Sequence, residues 1–154
     1  MIIENAGYPV ETHISTTDDG YILTIHRIPH GKDGPTGPRP VVFVQHGLLC
    51  SSADWVLSYP TKALGIFEGY HCNKLDIFLG SYDSLCKCIC DLIILLAFIL
   101  SDAGYDVWLG NYRGNTYSRA HLHFDPDTDL DYWQFRYRLW DIFCLMDHMY
   151  ALLS

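Results

Sequence analysis

The sequence lacks any segment long enough to cross a bilayer. Its uninterrupted apolar stretch from Leu92 to Leu100, bounded by Asp91, falls far short of the ~20 residues a spanning helix needs. No charged amino-terminal region followed by an apolar core and a small-residue cleavage site opens the chain, so no export signal is visible and the localisation stays open. Basic residues are scarce: Lys and Arg number 10 against 18 Asp and Glu, for a net charge of −8. They are scattered along the chain, which excludes nucleic acid as an expected partner, because phosphate binding relies on clustered cations. No Asn-x-Ser/Thr glycosylation acceptor occurs. The six cysteines do not follow the spacing of a small disulfide scaffold, and Cys86, Cys88 and Cys90 sit in one short run.

Metal-site patterns are missing too. Cys86-x-Cys88-x-Cys90 has no second ligand pair at zinc spacing, and His121-x-His123 is the nearest histidine pair. Asp125, Asp127, Asp129 and Asp131 alternate like a calcium loop, but the Gly and terminal Glu of an EF-hand are absent. No metal and no cofactor is expected.

What is present describes one globular domain: 154 residues, 49% hydrophobic and 14% aromatic, enough to bury a core. Val10–Thr16 and Tyr21–Ile28 alternate as strands around Asp18-Asp19-Gly20, a turn of residues that tolerate positive φ, and so predict a hairpin. Residues 29–40 are rich in Gly and Pro and read as a surface loop. Val41–Val44 is a continuous apolar run, the pattern of a central strand buried on both faces. Ser51-x-x-Asp54 resembles a capping box and predicts a helix start. Leu92–Asp102 reads as an apolar helix stopped by Gly104, with Tyr105–Leu109 as the next strand.

A hairpin followed by strand, helix and strand predicts an α/β sheet with a crossover connection. The loop Gly110-Asn111-Tyr112-Arg113-Gly114 would then lie at a strand's carboxyl end, where α/β folds place ligands. Asp106, Arg113 and Asn115 are read as solvated groups near that loop. Trp55, Trp108 and Trp133 are expected in or against the core.

The blocks VVFVQHGLLCSSADWV, LAFILSDAGYDVWLGNYRGNTYSRAH and DYWQF, together with GYPVETHISTTDDGYILTIHRIPHG, resemble the acid lipase family of α/β-hydrolases, which includes lysosomal acid, gastric and insect lipases. The resemblance covers about Gly7 to Gly65 and Leu96 to Phe135. It implies a partial α/β-hydrolase fold: the amino-terminal hairpin, the first parallel strands and the crossover helix. It also implies hydrolysis of acyl lipid esters, triacylglycerols or cholesteryl esters, by a Ser-His-Asp triad with backbone N–H groups holding the oxyanion. Carried onto this sequence, the oxyanion loop is His46-Gly47-Leu48, with the Leu48 N–H as one donor.

Two departures from the family pattern stand out. No serine has glycines at the G-x-S-x-G spacing; Ser51, Ser52, Ser101 and Ser118 all fail it, and the family's nucleophile, acid and base would follow beyond the DYWQF block. Residues 66–95 have no family counterpart, and their composition suggests intronic sequence read as coding, or a splice variant, in preference to a folded cap. The expected organisation is one partial lipase domain over 1–154, with a non-family insert at 66–95 and a divergent carboxyl terminus at 136–154. Within the latter, WDIFCLMDHM keeps a faint likeness to the family's next helix. The chain is expected to be inactive on its own. The alternatives are a non-catalytic fragment that binds lipid or a homologue, or a gene-model fragment without independent function. An incomplete sheet would leave an apolar edge prone to aggregation.

Overall fold

A computed structural model describes residues 2–35, 37–47, 50–57, 95–136 and 139–153. The insert at 66–95 therefore lies outside the described residues, apart from Leu95, and so do Leu48, Leu49, Cys72, Cys86, Cys88 and Cys90. A short helix α1 (Ile2–Asn5) precedes β1 (Glu11–Thr16) and β2 (Tyr21–Ile28), which form the expected antiparallel hairpin with Thr16 opposite Ile22. Gly20 closes its turn at φ +92°, a conformation other residues adopt only with strain.

Strand β3 (Val41–Gln45) runs parallel to β4 (Asp106–Gly110), reached through helix α2 (Leu96–Asp102); β4 in turn pairs antiparallel with β2. The sheet order is β1-β2-β4-β3, and a two-residue strand β5 (Ala120–His121) adds to the start of β2. This mixed sheet with its parallel crossover is a partial α/β-hydrolase fold. Helix α2 ends where expected: Tyr105 N–H bonds back to the Leu100 carbonyl and Gly104 takes φ +93°.

The side chains alternate across the sheet. Ile28, Val44, Val107 and Leu109 face one side, under α1, α2 and the segment around Val56. Tyr21, Leu23, Ile25 and Trp108 face the other, under Tyr132 and helix α3 (Leu139–Leu153), which contributes Leu145 and Met149. The carboxyl-terminal stretch thus forms a helix that covers half of the core. Gly110 is required there, since a Cβ would meet Phe43 Cζ at 2.6 Å and the Gln45 amide closer still.

Two expectations need correction. Residues 41–44 are not buried on both faces: Val41 is exposed and Val42 and Phe43 half-buried, whereas every residue of β4 is buried. The faces of a strand are buried by the layers packed on the sheet, and β3, which ends the strand order and among the described residues pairs only with β4, is covered less completely than β4. The capping serine is real but opens a single 3-10 turn, Ser52–Trp55, with Ser51 Oγ accepting from the Ala53 N–H at 3.3 Å. Among the described residues no helix is long and apolar enough to cross a membrane.

Candidate active site

The parallel pair β3 and β4 sends two loops off its carboxyl end, His46-Gly47 and Asn111–Asn115. Their side chains bond to each other rather than to solvent. His46 is 5% exposed. Its Nε2 faces two groups that can only donate, the Tyr112 N–H at 3.3 Å and the Asn115 amide N–H at 3.1 Å. Its Nδ1 lies 2.8 Å from the Gly47 carbonyl oxygen, which can only accept. The ring is therefore a neutral imidazole with the proton on Nδ1. The Asn115 orientation is fixed independently, because its Oδ1 accepts from the Tyr117 and Ser118 N–H groups. Burial pushes the His46 pKa below its ordinary value, although the Gly47 carbonyl and Asp54 pull the other way.

Behind this pair stands Asn111, fully buried, with both ends of its amide occupied twice. Oδ1 accepts from the Ser52 N–H at 2.9 Å and from Asn115 at 2.8 Å. Nδ2 donates to the Thr24 carbonyl at 3.1 Å and to Ser52 Oγ at 3.0 Å. Ser52 Oγ also sits 2.8 Å from His26 Nδ1. A serine hydroxyl against an imidazole has the outline of a nucleophile and its base. Its surroundings do not: Ser52 is 2% exposed, and the adjoining void of about 30 Å³ has room for one water and not for an acyl group. Desolvation lowers the His26 pKa, so this pair is a neutral buried contact that ties β2 to the turn after the His46-Gly47 loop.

Cys50 is exposed beside the same loop, but its thiol bonds to Asp54, which raises its pKa and makes it a poor thiolate. The Ser51, Ser101 and Ser118 hydroxyls provide no nucleophile either. Ser51 caps the 3-10 turn, Ser101 is buried in α2, and Ser118 is fully buried between the Thr24 N–H and the Asn111 carbonyl.

The expectation that Asp106, Arg113 and Asn115 are solvated is overturned. Arg113 is 1% exposed, forked onto Asp19 at 2.6 and 3.2 Å and stacked 4.2 Å from the Tyr21 ring centre. Burial works against the Asp19 carboxylate, yet the Arg113 fork and the Thr17 hydroxyl prevail and hold its pKa below the usual range. Asp106 is buried and receives two bonds from Arg27, at 2.9 and 2.7 Å, which raise the Arg27 pKa. Arg27 also reaches Glu11 and lies over the Trp108 ring. Asn115 is the hinge of the network just described. Neither the first residue of a strand nor two polar residues of the loop after it carry a local signal that they bond to distant side chains.

The histidine pair has a structural task. His121 Nε2 donates to the Asp19 carbonyl at 2.8 Å, and Nδ1 accepts from the His123 and Phe124 N–H groups, so its ring has no lone pair to offer a metal. Asp125 and Asp129 accept backbone N–H groups within their own turn. Among the described residues no group of three or more His, Cys, Asp or Glu could hold a metal ion. Trp108 is fully buried and Trp55 packs against the core, while Trp133 is 44% exposed with its edge against Tyr132.

Comparison with known proteins agrees with this architecture. The family described as the partial alpha/beta-hydrolase lipase region matches residues 1–59. Lipase lipl-3 of Caenorhabditis elegans is 42% identical over 144 residues, 92% of this chain and 27% of the relative. Human gastric triacylglycerol lipase is 42% identical over 133 residues, covering 85% of this chain and 25% of the relative. Lipase 3 of Drosophila melanogaster is 43% identical over 122 residues, or 79% and 23%. The chain spans about a quarter of the length of the curated relatives it matches. On the matched region and these relatives, the chain carries a partial α/β-hydrolase lipase region and is related to the gastric and acid lipases.

Proposed function

We propose that the chain supplies the amino-terminal sheet and the oxyanion loop His46-Gly47-Leu48 of a hydrolase acting on acyl lipid esters, triacylglycerols or cholesteryl esters, by serine acyl transfer. The observation that carries this reading is the carboxyl end of β3. There His46 is held as a neutral Nδ1–H imidazole against the Gly47 carbonyl, so the loop is pre-set before substrate arrives. Leu48 lies outside the described residues; its role as N–H donor rests on the family resemblance.

The residues of this chain are not expected to hydrolyse esters by themselves. No G-x-S-x-G is present, the described Ser–His contact is buried, and an oxyanion donor without a nucleophile leaves only residual catalysis. The proposed organisation is a partial lipase domain interrupted at 66–95 by sequence foreign to the family, with 136–154 diverging from it. Transcript sequencing across Gly65 to Phe98 tests the interruption: reads that splice it out support the reading, and uniform inclusion counts against it.

A chimaera tests the function. Residues 7–57 placed in human gastric triacylglycerol lipase, in exchange for the matching segment, should retain turnover of a triacylglycerol within about tenfold. A folded chimaera with no turnover would overturn the oxyanion-loop reading. The 154-residue chain itself should show no serine-reagent-sensitive hydrolysis of a p-nitrophenyl ester, and clear turnover would contradict its inactivity.

A further inference from the structure

The strongest unassigned feature is the path of hydrogen bonds that ends on the oxyanion loop. It begins at Asn115, in a different loop from a different strand. Asn115 has two separable roles: Oδ1 receives the Tyr117 and Ser118 N–H groups and shapes its own turn, while Nδ2 donates to His46 Nε2 and Asn111 Oδ1. We propose that Asn115 is a positioning residue for the oxyanion loop, acting through the tautomer of His46.

With Nε2 facing two donors, the ring proton is forced onto Nδ1, where it holds the Gly47 carbonyl at 2.8 Å. A peptide unit is planar and trans, so fixing a carbonyl direction also fixes the N–H on its far side. The far side of the Gly47 carbonyl is the amide of residue 48, the donor of the proposed function. The inference rests on that reading for its catalytic meaning, but the tautomer and the peptide direction can be measured without turnover.

The alternative protonation states show why the contact matters. An Nε2–H tautomer would set a proton against the Tyr112 and Asn115 donors and a lone pair against the Gly47 oxygen. An imidazolium would keep the Gly47 bond but lose both contacts at Nε2. Among the described residues, the other titratable groups facing the ring are Asp54, on the 3-10 turn, and the Tyr112 phenol ring, edge-on at 5.2 Å. Asp54 favours the charged ring; burial opposes it first, and the two donors at Nε2 leave no acceptor for a second ring proton.

Nitrogen-15 NMR of the histidine rings in the 154-residue chain tests the proposal. His46 should show a protonated Nδ1 and a bare Nε2, with a titration midpoint below the ordinary value for histidine. Asn115→Asp keeps an oxygen for the Tyr117 and Ser118 N–H groups but puts a carboxylate in place of the Nδ2 donor. It should therefore leave the turn folded while raising the proton affinity of His46 by about tenfold or more. Asn115→Ala should let the ring sample the Nε2–H form and shift the Leu48 amide resonance, one peptide bond from the Gly47 carbonyl. A protonated Nε2 in the parent chain overturns the proposal. So does an unmoved His46 midpoint in Asn115→Asp, or a Leu48 amide unaffected by Asn115→Ala. Loss of turnover in the gastric lipase chimaera would instead overturn the oxyanion-loop reading and leave these contacts standing.

Discussion

Asn111→Ala is the substitution whose cost the structure fixes most directly. The side chain is fully buried and makes four hydrogen bonds, two through each end of its amide. Two of its partners have a second contact to fall back on: Ser52 Oγ keeps His26, and the Asn115 amide keeps His46. The Ser52 N–H and the Thr24 carbonyl lose the side-chain partner that reaches them from Asn111. At about 1–3 kcal/mol for each buried group left unsatisfied, the loss is about 2–6 kcal/mol before any cavity is counted. That is a large fraction of the roughly 5–15 kcal/mol that holds a domain of this size together. Urea unfolding followed by tryptophan fluorescence and circular dichroism measures it, with equal slopes required for the comparison. Asn111→Asp is the informative partner: it keeps the acceptors, removes both donors and buries a charge, so it should cost at least as much. A loss below about 1 kcal/mol in Asn111→Ala would show that the network is not what joins β2, the 3-10 turn and the β4 loop.

Other consequences can be checked together. Asp19→Asn leaves the Arg113 guanidinium buried opposite a neutral amide, and should lower stability by about 2–4 kcal/mol, read as a drop in urea midpoint. Gly110→Ala forces a Cβ into the Phe43 ring and the Gln45 amide and should cost about 1–3 kcal/mol in the same assay. The pKa values of His26 and His46 are both lowered by burial, so below about pH 6.5 the unfolded chain binds protons that the folded chain refuses. Stability should therefore fall from about pH 6.5 downward, and His26→Gln should flatten part of that slope. Asp19 and Glu11 are held below their ordinary values, so the stability they add persists above the usual carboxylate range near pH 4 and disappears in stronger acid.

The elements that could be read from the sequence are those governed by local pattern. Alternation in Tyr21–Ile28, the Asp-Asp-Gly turn, the helix stop at Gly104 and the strand that follows all depend on nearest neighbours and φ preferences. The burial of β3 differs from expectation, because an apolar run reports what a strand tolerates and not how completely its faces are covered. Arg113, Asp106 and Asn115 were misjudged for a related reason. Their partners are Asp19, Arg27 and His46, all more than 60 residues away in sequence, and no spacing rule joins them. The His46-Gly47 pair falls directly after β3, where the strand pattern places it. Its tautomer required the coordinates of Tyr112 and Asn115.

The central claim is that the loop after β3 presents a backbone N–H to a developing oxyanion. Two substitutions in the gastric lipase chimaera separate that N–H from the side chain that carries it. Leu48→Ala retains the donor and should keep kcat within about threefold, whereas Leu48→Pro removes it and should lower kcat by about 10²–10³ with little change in KM. Equal turnover by the two folded variants would contradict the account.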